Sequence, residues 1–198
     1  MENVHSNFNE QQSLLVIQQM ITAAKRAIKE DGFMYLLWGW LVFTAGALNY
    51  ILAFVVHYEH PYLPWPVLML SGAVISVIYG KRQQKKQKVK TYVDEFMAYL
   101  WGAFLFALLF VLLYMIKIGP ELAYPLILVV YGIGTFVSGG VLRYKPLIFG
   151  GIGCWILAIA AAFVSFDIQL LLLLAAILIG FIIPGHLLRA KYNHEKAG

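Results

Sequence analysis

Residues 33–56 read FMYLLWGWLVFTAGALNYILAFVV, and this stretch decides the fold because it holds no charged side chain. A bilayer core of roughly 30 Å is crossed by about 20 helical residues at about 1.5 Å each. A strand of an outer-membrane barrel would instead alternate polar and apolar positions over about 10 residues, and this stretch does not. It therefore predicts a transmembrane helix.

Five further apolar runs follow in the 198-residue chain, which is 61% hydrophobic and only 13% charged. Since the apolar residues fall in long runs rather than in the short alternations of a soluble core, we expect an all-α polytopic membrane protein with one membrane domain of six transmembrane helices, arranged as three hairpins. The second run is the shortest. The predicted segments are 33–56, 64–79, 96–116, 122–142, 146–164 and 168–188, between a cytoplasmic N-terminal segment, 1–32, and a cytoplasmic tail, 189–198.

The basic residues predict the orientation of these segments. Fourteen of the fifteen Lys and Arg residues fall before the first segment, in the loops after the second and fourth segments, or after the sixth, whereas Lys117 alone falls in the opposite set of loops. Short loops rich in Lys and Arg stay in the cytoplasm. We therefore expect a multi-pass protein of the cytoplasmic (inner) membrane with both termini in the cytoplasm, and we read the net charge of +5 as a topology signal rather than as a sign of nucleic-acid binding.

An amphipathic helix is predicted before the first segment. Its apolar residues recur at spacings of three and four, with polar residues on the other side, which is the period of a helix with one apolar stripe. Three ways of burying this stripe fit the pattern: lying on the lipid surface, docking on the membrane domain, or pairing with a second copy in a homodimer. The stripe consists of Leu14, Ile17, Ile21, Ala24 and Ile28.

The loop after the second segment is the most basic part of the chain. Its cations could contact anionic lipid head groups or an acidic cytoplasmic protein. The alternative is that they only fix the topology and are otherwise solvated. These cations, which we call the basic loop, are Lys81, Arg82, Lys85, Lys86, Lys88 and Lys90.

Two internal repeats suggest how the helices are related. A shift of 63 positions superposes Asp31, Trp38 and Gly39 on Asp94, Trp101 and Gly102, and a shift of 46 superposes the end of the fourth segment, at Arg143, on the end of the sixth, at Arg189. Hairpins that all start and end in the cytoplasm would be related by an axis along the membrane normal. The alternative is convergence, since Trp and Arg are favoured at membrane interfaces anyway.

No residue pattern indicates an enzyme or a resident metal. The predicted segments carry no Asp, Glu, Lys or Arg near their centres, which disfavours a coupled pump. Ser138 and His186 are the only pair that resembles a nucleophile and a base, and we interpret them as a surface serine and an interfacial histidine. His57, Glu59 and His60 lack the fourth ligand and the cysteines of a typical zinc site. We expect no cofactor, and the single cysteine, Cys154, excludes a disulfide framework.

The deep polar side chains leave two interpretations open. They include Asn49, Thr44, Ser76, Tyr131 and Thr135. They can satisfy one another or backbone carbonyls across helices, or they can line a path for a neutral solute. We expect the first, and hence a non-enzymatic regulatory or scaffolding protein that acts through its cytoplasmic helix and basic loop. The alternative is a passive channel or facilitator for a small neutral solute.

One resemblance concerns the first third of the chain. Ser13-Leu14, Ile17-Gln18, Met20-Ile21 and Ala24-Lys25 are followed by Asp31-Gly32-Phe33 and then by YLLWGW at 35–40. This order resembles the opening of small integral membrane proteins of Bacteroidota-type bacteria. The resemblance fades after the first segment, carries no site residues and implies an inner-membrane location and nothing more.

Overall fold

The computed structural model describes Leu15, residues 31–86 and residues 92–197. Every regular element in this part of the chain is helical, so the prediction of an all-α protein is confirmed there. Residues from Asp31 onward form a unit of their own. The predicted stripe of the N-terminal helix, at Leu14, Ile17, Ile21, Ala24 and Ile28, lies outside the described residues.

Seven α-helices and two π-helical turns are present in the described residues. The first π-helical turn extends α1, and the second, π2, joins α6 to α7 without a break, so that α6, π2 and α7 form one long helix. The elements are α1 (Phe33–Tyr50) with Ile51–Val55, α2 (Pro64–Lys86), α3 (Tyr92–Ile118), α4 (Pro120–Val141), α5 (Lys145–Ala161), α6 (Phe166–Ile177), π2 (Leu178–Ile182) and α7 (Ile183–Ala197).

Four helices of the described chain are long and apolar enough to cross a membrane: Phe33–Val55, Tyr92–Ile118, Pro120–Val141 and Phe166–His194. They identify the chain as an all-helical membrane protein. Helix α5 is apolar but has 17 residues, or about 25 Å, against a hydrocarbon core of roughly 30 Å. Helix α2 has 23 residues but ends in the polar sequence KRQQKK. Six spans and their arrangement as three hairpins therefore remain predictions.

The long helix α6–π2–α7 lies at the centre of the helical packing. It contacts α1, α4 and α5, while α2 packs mainly on α1, and α3 mainly on α4. Helix α3 consequently has a broad apolar face that is exposed, including Phe106, Phe110 and Leu113. Such a face is suited to lipid tails.

Glycines allow the closest helix crossings. A Cβ atom on Gly150 of α5 would lie 2.9 Å from the Gly180 Cα in π2, and one on Gly39 of α1 would lie 3.0 Å from Ile182 Cγ1. In the hairpin of α4 and α5, a Cβ on Gly151 would lie 2.7 Å from the Phe136 nitrogen. Because lipid tails are as apolar as the helices, close backbone packing of this kind is a main source of helix association in membranes.

Side-chain contacts show which helix ends lie together. Asp31 bonds to Tyr79, and a Cβ on Gly32 would lie 2.7 Å from the Gly185 oxygen, so the start of α1, the end of α2 and α7 share one end of the protein. Lys191 lies over the Tyr144 ring, which adds the turn between α4 and α5. We call this the basic end, because Lys81, Arg82, Arg143, Lys145, Arg189 and Lys191 are found there.

Candidate functional site

The best-defined polar cluster of the basic end joins α1 to α2. Asp31 accepts a hydrogen bond from the Tyr79 hydroxyl through Oδ2 and one of 3.0 Å from the Phe33 backbone nitrogen through Oδ1. Gln83 Nε2 donates to the Tyr79 oxygen at 2.9 Å, and the Phe33 and Tyr79 rings stack with centroids 4.4 Å apart. We call Asp31, Phe33, Tyr79 and Gln83 the Asp31–Tyr79 cluster.

The Asp31–Tyr79 cluster lies directly beside the basic loop. Tyr79 precedes Lys81 by two residues, and Lys81 and Arg82 are exposed in the same helix. Lys85 and Lys86 lie in the last turn of α2, whereas Lys88 and Lys90 fall outside the described residues.

A second group of cations lies at the same end, on α7 and on the turn between α4 and α5. Lys191 Nζ lies 5.9 Å from the centroid of the Tyr144 ring, and Arg143, Lys145 and Arg189 are exposed. Arg143, two residues after the end of α4, has a φ of 50°, and the Tyr144 nitrogen donates to the Gly139 oxygen at 2.8 Å. Cations from separate parts of the sequence therefore meet at the basic end.

The opposite end of the bundle is held by Asn49. In the amide orientation that satisfies both of its polar atoms, its oxygen accepts from Trp65 Nε1 at 2.9 Å and its nitrogen donates to the Pro61 oxygen at 3.1 Å. Asn49 is buried, with 6% of its surface exposed. It therefore links α1 to the start of α2 and the loop before it, rather than facing an open path.

Thr135 and Ser76 are also bonded within the bundle, whereas Thr44 is not. Thr135 Oγ1 donates to the Tyr131 oxygen at 2.7 Å, Ser76 Oγ accepts from Trp38 Nε1 at 3.1 Å, and Thr135 is fully buried. Thr44 is the exception, because it is exposed on the outside of α1. The buried members of this set stabilise packing.

Aromatic side chains fill the centre of the bundle. Tyr35 of α1, Trp101 and Phe104 of α3, Tyr131 of α4 and Phe181 of π2 form a connected set of ring contacts, with centroids 5.1 to 6.3 Å apart. Tilted and edge-to-face pairs at such distances are favourable. These rings fill the space between α1, α3, α4 and π2.

Sequence reasoning missed one buried polar residue, Gln169, at the start of α6. Its Nε2 donates to the carbonyl oxygens of Glu121 and Ala161, each at 2.9 Å, and of Val164 at 3.2 Å. Its Oε1 is buried and has no hydrogen-bond partner in the described chain. The sequence did show a glutamine within an otherwise apolar run, but it could not show the partners of this side chain, because they lie up to 48 positions away.

The remaining candidate residues from the sequence do not form a catalytic pair or a metal site in the described part of the chain. The interpretation of Ser138 as a surface serine is wrong, because the residue is fully buried and its hydroxyl donates to the Gly134 oxygen at 2.6 Å, whereas His186 is exposed on α7. His60 Nδ1 and the Tyr62 hydroxyl are 3.2 Å apart. No group of three or more His, Cys, Asp or Glu side chains that could hold a metal ion occurs in the described residues. Cys154 is buried, with Sγ 3.6 Å from the Ala176 oxygen.

The comparisons with known proteins give no relatives. No family model matches the chain, and no curated protein or solved structure is significantly similar to it. The resemblance of the first third to small Bacteroidota-type membrane proteins therefore stays a prediction.

Proposed function

We propose that this protein is a non-enzymatic inner-membrane protein with a regulatory or scaffolding role, which acts through its cytoplasmic amphipathic helix and its basic loop. The observation that carries the proposal is the division of polar groups in the described chain. Buried polar side chains such as Asn49, Thr135 and Ser138 are bonded inside the bundle, whereas the exposed cations Lys81 and Arg82 lie at one end.

Physical chemistry links this division to function. A transporter or channel needs polar groups that can exchange partners with a solute, and a polar group already bonded in hydrocarbon is costly to release. A membrane-bound regulator needs only a stable bundle that presents polar elements to one compartment. The packed aromatic rings between the helices and the cations at the basic end fit what a membrane-bound regulator needs.

The topology is part of the proposal. We propose that α2 and α5 also cross the membrane, which gives six spans, and that the basic end faces the cytoplasm. Cytoplasmic loops are enriched in Lys and Arg, and Lys117 is the one cation at the far end of the described helices. The proposed contacts of the basic loop are then anionic lipids of the inner leaflet or an acidic cytoplasmic protein, each nearby cation contributing roughly 1 kcal/mol toward an anionic surface.

Capture of partners from native membranes tests the proposal. Affinity purification and mass spectrometry compare the wild-type protein with a chain lacking residues 1–30 and with a variant in which Lys81, Arg82, Lys85 and Lys86 are changed to Gln. We expect both variants to lose the same proteins or anionic lipids, whereas Lys117→Gln, which removes an exposed cation at the opposite end, retains them.

Two controls make the result decisive. Since the basic loop also fixes topology, the neutralised variant must first be shown to keep its orientation. The purified protein is also reconstituted in liposomes. Selective flux of a neutral solute that survives the deletion of residues 1–30 and disappears with Asn49→Leu would overturn the proposal in favour of a facilitator.

A further inference from the structure

We propose that two cationic motifs and the apolar cleft beside them form a binding site for an anionic phospholipid. The motifs are Arg143-Tyr144-Lys145, at the junction of α4 and α5, and Arg189-Ala190-Lys191, in α7. They are 46 positions apart in the sequence, yet they meet, since Lys191 Nζ lies 5.9 Å from the centroid of the Tyr144 ring. The basic loop is not part of this site, so the inference goes beyond the proposed function.

The charge of the two motifs is suited to a phosphate group. Within 142–149 and 183–195 only Glu195 is acidic, so these stretches keep an excess of three positive charges. A guanidinium binds two phosphate oxygens at once, and a lysine ammonium adds further charged hydrogen bonds. The four cations of the motifs are all exposed side chains, namely Arg143, Lys145, Arg189 and Lys191.

The long helix α6–π2–α7 places the motifs at the depth of lipid head groups. Arg189 lies 23 residues after Phe166, with which α6 begins, and this is about 34 Å along the helix at about 1.5 Å per residue. The hydrocarbon core is roughly 30 Å thick. When Phe166 lies at one interface, Arg189 therefore lies at the other, and Lys145 begins α5 at the same end.

An apolar cleft leads from the motifs along α5 and α7. Gly150 and Gly180 bring α5 against π2, but α5 has little contact with α7. The two helices therefore diverge from this crossing toward the basic end. Gly153 leaves further room beside the crossing, because a Cβ on it would meet a single atom within 4 Å, Ile179 Cγ2 at 3.2 Å.

Exposed apolar side chains line both sides of this cleft at the spacing of a helix face. On α5, Phe149 lies four positions after Lys145. On α7, Ile183 and Leu187 lie eight and four positions before Lys191. These three apolar side chains are 49% to 67% exposed. Each helix thus carries an apolar stripe that ends in a lysine at the same end of the protein.

A phospholipid has the same order of groups, with acyl chains next to a phosphate. A soluble anion or an acidic protein would use the cations and leave the apolar stripes uncovered. Tails of a zwitterionic lipid would cover the stripes, but the excess positive charge would stay without a matching anion. An anionic phospholipid satisfies the stripes and the cations together.

Native mass spectrometry of the full-length protein in detergent tests the site. The protein is titrated with phosphatidylglycerol, which is anionic, and with phosphatidylcholine of the same acyl chains, which is zwitterionic. We expect the first phosphatidylglycerol to bind at least about tenfold more tightly than phosphatidylcholine, and Lys145→Gln with Arg189→Gln to remove this preference, because two cations near the phosphate are lost. The matched control is Lys81→Gln with Arg82→Gln, which removes two exposed cations of α2 at the basic end and retains the preference.

A second pair of variants tests the apolar part of the site. Phe149→Ala shortens an exposed side chain one turn from Lys145, and we expect phosphatidylglycerol to bind about threefold more weakly because apolar contact with an acyl chain is lost. Phe106→Ala is the control, since Phe106 is 74% exposed on α3 and lies outside the cleft. The thermal midpoints of both variants should equal that of the wild-type protein, because neither ring is buried.

Several outcomes would overturn the site. Equal losses in the two cation pairs would show attraction to any nearby positive charge, and equal binding of the two lipids would show contact without recognition of the head group. Unchanged binding in Phe149→Ala would remove the acyl chain from the cleft. Displacement of phosphatidylglycerol by inorganic phosphate or by poly-glutamate would assign the cations to a soluble anion or to an acidic protein. Failure of the proposed function is seen separately, in the capture of partners by the basic loop.

Discussion

At the scale of single residues, Gln169 shows what polar side chains contribute inside this protein. The last carbonyl groups of a helix have no i+4 partner within it, and α5 ends at Ala161, whose oxygen receives only a long backbone bond of 3.5 Å from the Val164 nitrogen. Gln169 supplies one amide nitrogen to the oxygens of Ala161, Val164 and Glu121. It thereby ties the end of α5 to the start of α4 and of α6.

We expect Gln169→Leu to lower the free energy of unfolding by about 2 kcal/mol, because three carbonyl oxygens lose a donor and the new side chain cannot replace it. Thermal unfolding in a mild detergent measures the change. Thr44→Val serves as the control, since it replaces a polar group by an apolar one at an exposed position of α1. Equal midpoints for the two variants would contradict a clamping role for the glutamine.

Residues of this kind set the limit of what the sequence could predict. Periodicity and hydropathy identify a residue's own segment, but the partners of Asp31 and of Gln169 lie 48 positions away. Nothing in a single sequence pairs them, because a hydrogen bond across helices depends on which helices become neighbours. The basic loop was identified from composition, whereas the cluster beside it was not.

At the scale of secondary-structure elements, the helix crossings depend on the absence of side chains at particular points. Gly150 faces Gly180 and the Ile179 oxygen in π2, and all three atoms that a Cβ on Gly150 would approach belong to the backbone. Backbone cannot rotate aside as a flexible side chain can. The crossing of α5 and π2 is therefore less tolerant of added volume than the contacts on the periphery.

Gly150→Ala should destabilise the protein by about 1–3 kcal/mol, because the added methyl group forces the two helices apart. Gly140→Ala is the matched control, because a Cβ on Gly140 meets no atom within 4 Å and alanine is the better helix former. Unfolding followed by circular dichroism compares the two. A Gly150→Ala variant as stable as Gly140→Ala would show that the crossing is looser than described.

Helix α2 depends on a different contact, since it packs mainly on α1. Trp38 donates to Ser76 Oγ at 3.1 Å and its ring lies over Gly72. Trp38→Phe should therefore cost about 1–2 kcal/mol and speed exchange within α2. Trp40→Phe changes the same residue type in the same helix, but at a position 49% exposed, and should leave exchange in α2 unchanged. Equal exchange in both variants would count against the contact.

The C-terminal end of α2 shows why a segment predicted from hydropathy can be shorter than the helix that contains it. Hydropathy predicted a short second segment, 64–79, but the helix runs from Pro64 to Lys86. Helical hydrogen bonding continues through the polar residues after position 79, so hydropathy finds the apolar part of the helix and misses the rest. The longer helix carries both Tyr79, the last residue of the predicted segment, and Lys81.

At the scale of the whole molecule, most of the described cations lie at one end of the helices, the basic end. The rings of Tyr35, Trp101 and Phe181 pack between the helices. The long apolar runs predicted the membrane class, and the positions of the Lys and Arg residues predicted the charge asymmetry, because each signal is a sum over many residues. The number of spans depends on whether α2 and α5 also cross the membrane, since α5 is short and α2 ends in a polar sequence.

Cysteine labelling in intact spheroplasts tests the proposed orientation of the whole molecule. In a Cys154→Ser background, Gln84→Cys and Asn193→Cys should resist a membrane-impermeant thiol reagent until the cells are lysed, whereas Glu59→Cys should react at once. The Cys154→Ser substitution is expected to change stability little, because Cys154 is buried and its replacement by a similarly small side chain keeps a donor near the Ala176 oxygen.

Gln84 lies in α2 beyond the apolar part, and Glu59 lies in the exposed connection between α1 and α2, so the two positions lie on either side of the apolar part of one helix. Opposite reactivity at these positions also shows that α2 crosses the membrane. Equal reactivity would mean that α2 does not span, and labelling of Gln84→Cys before lysis with protection of Glu59→Cys would invert the topology.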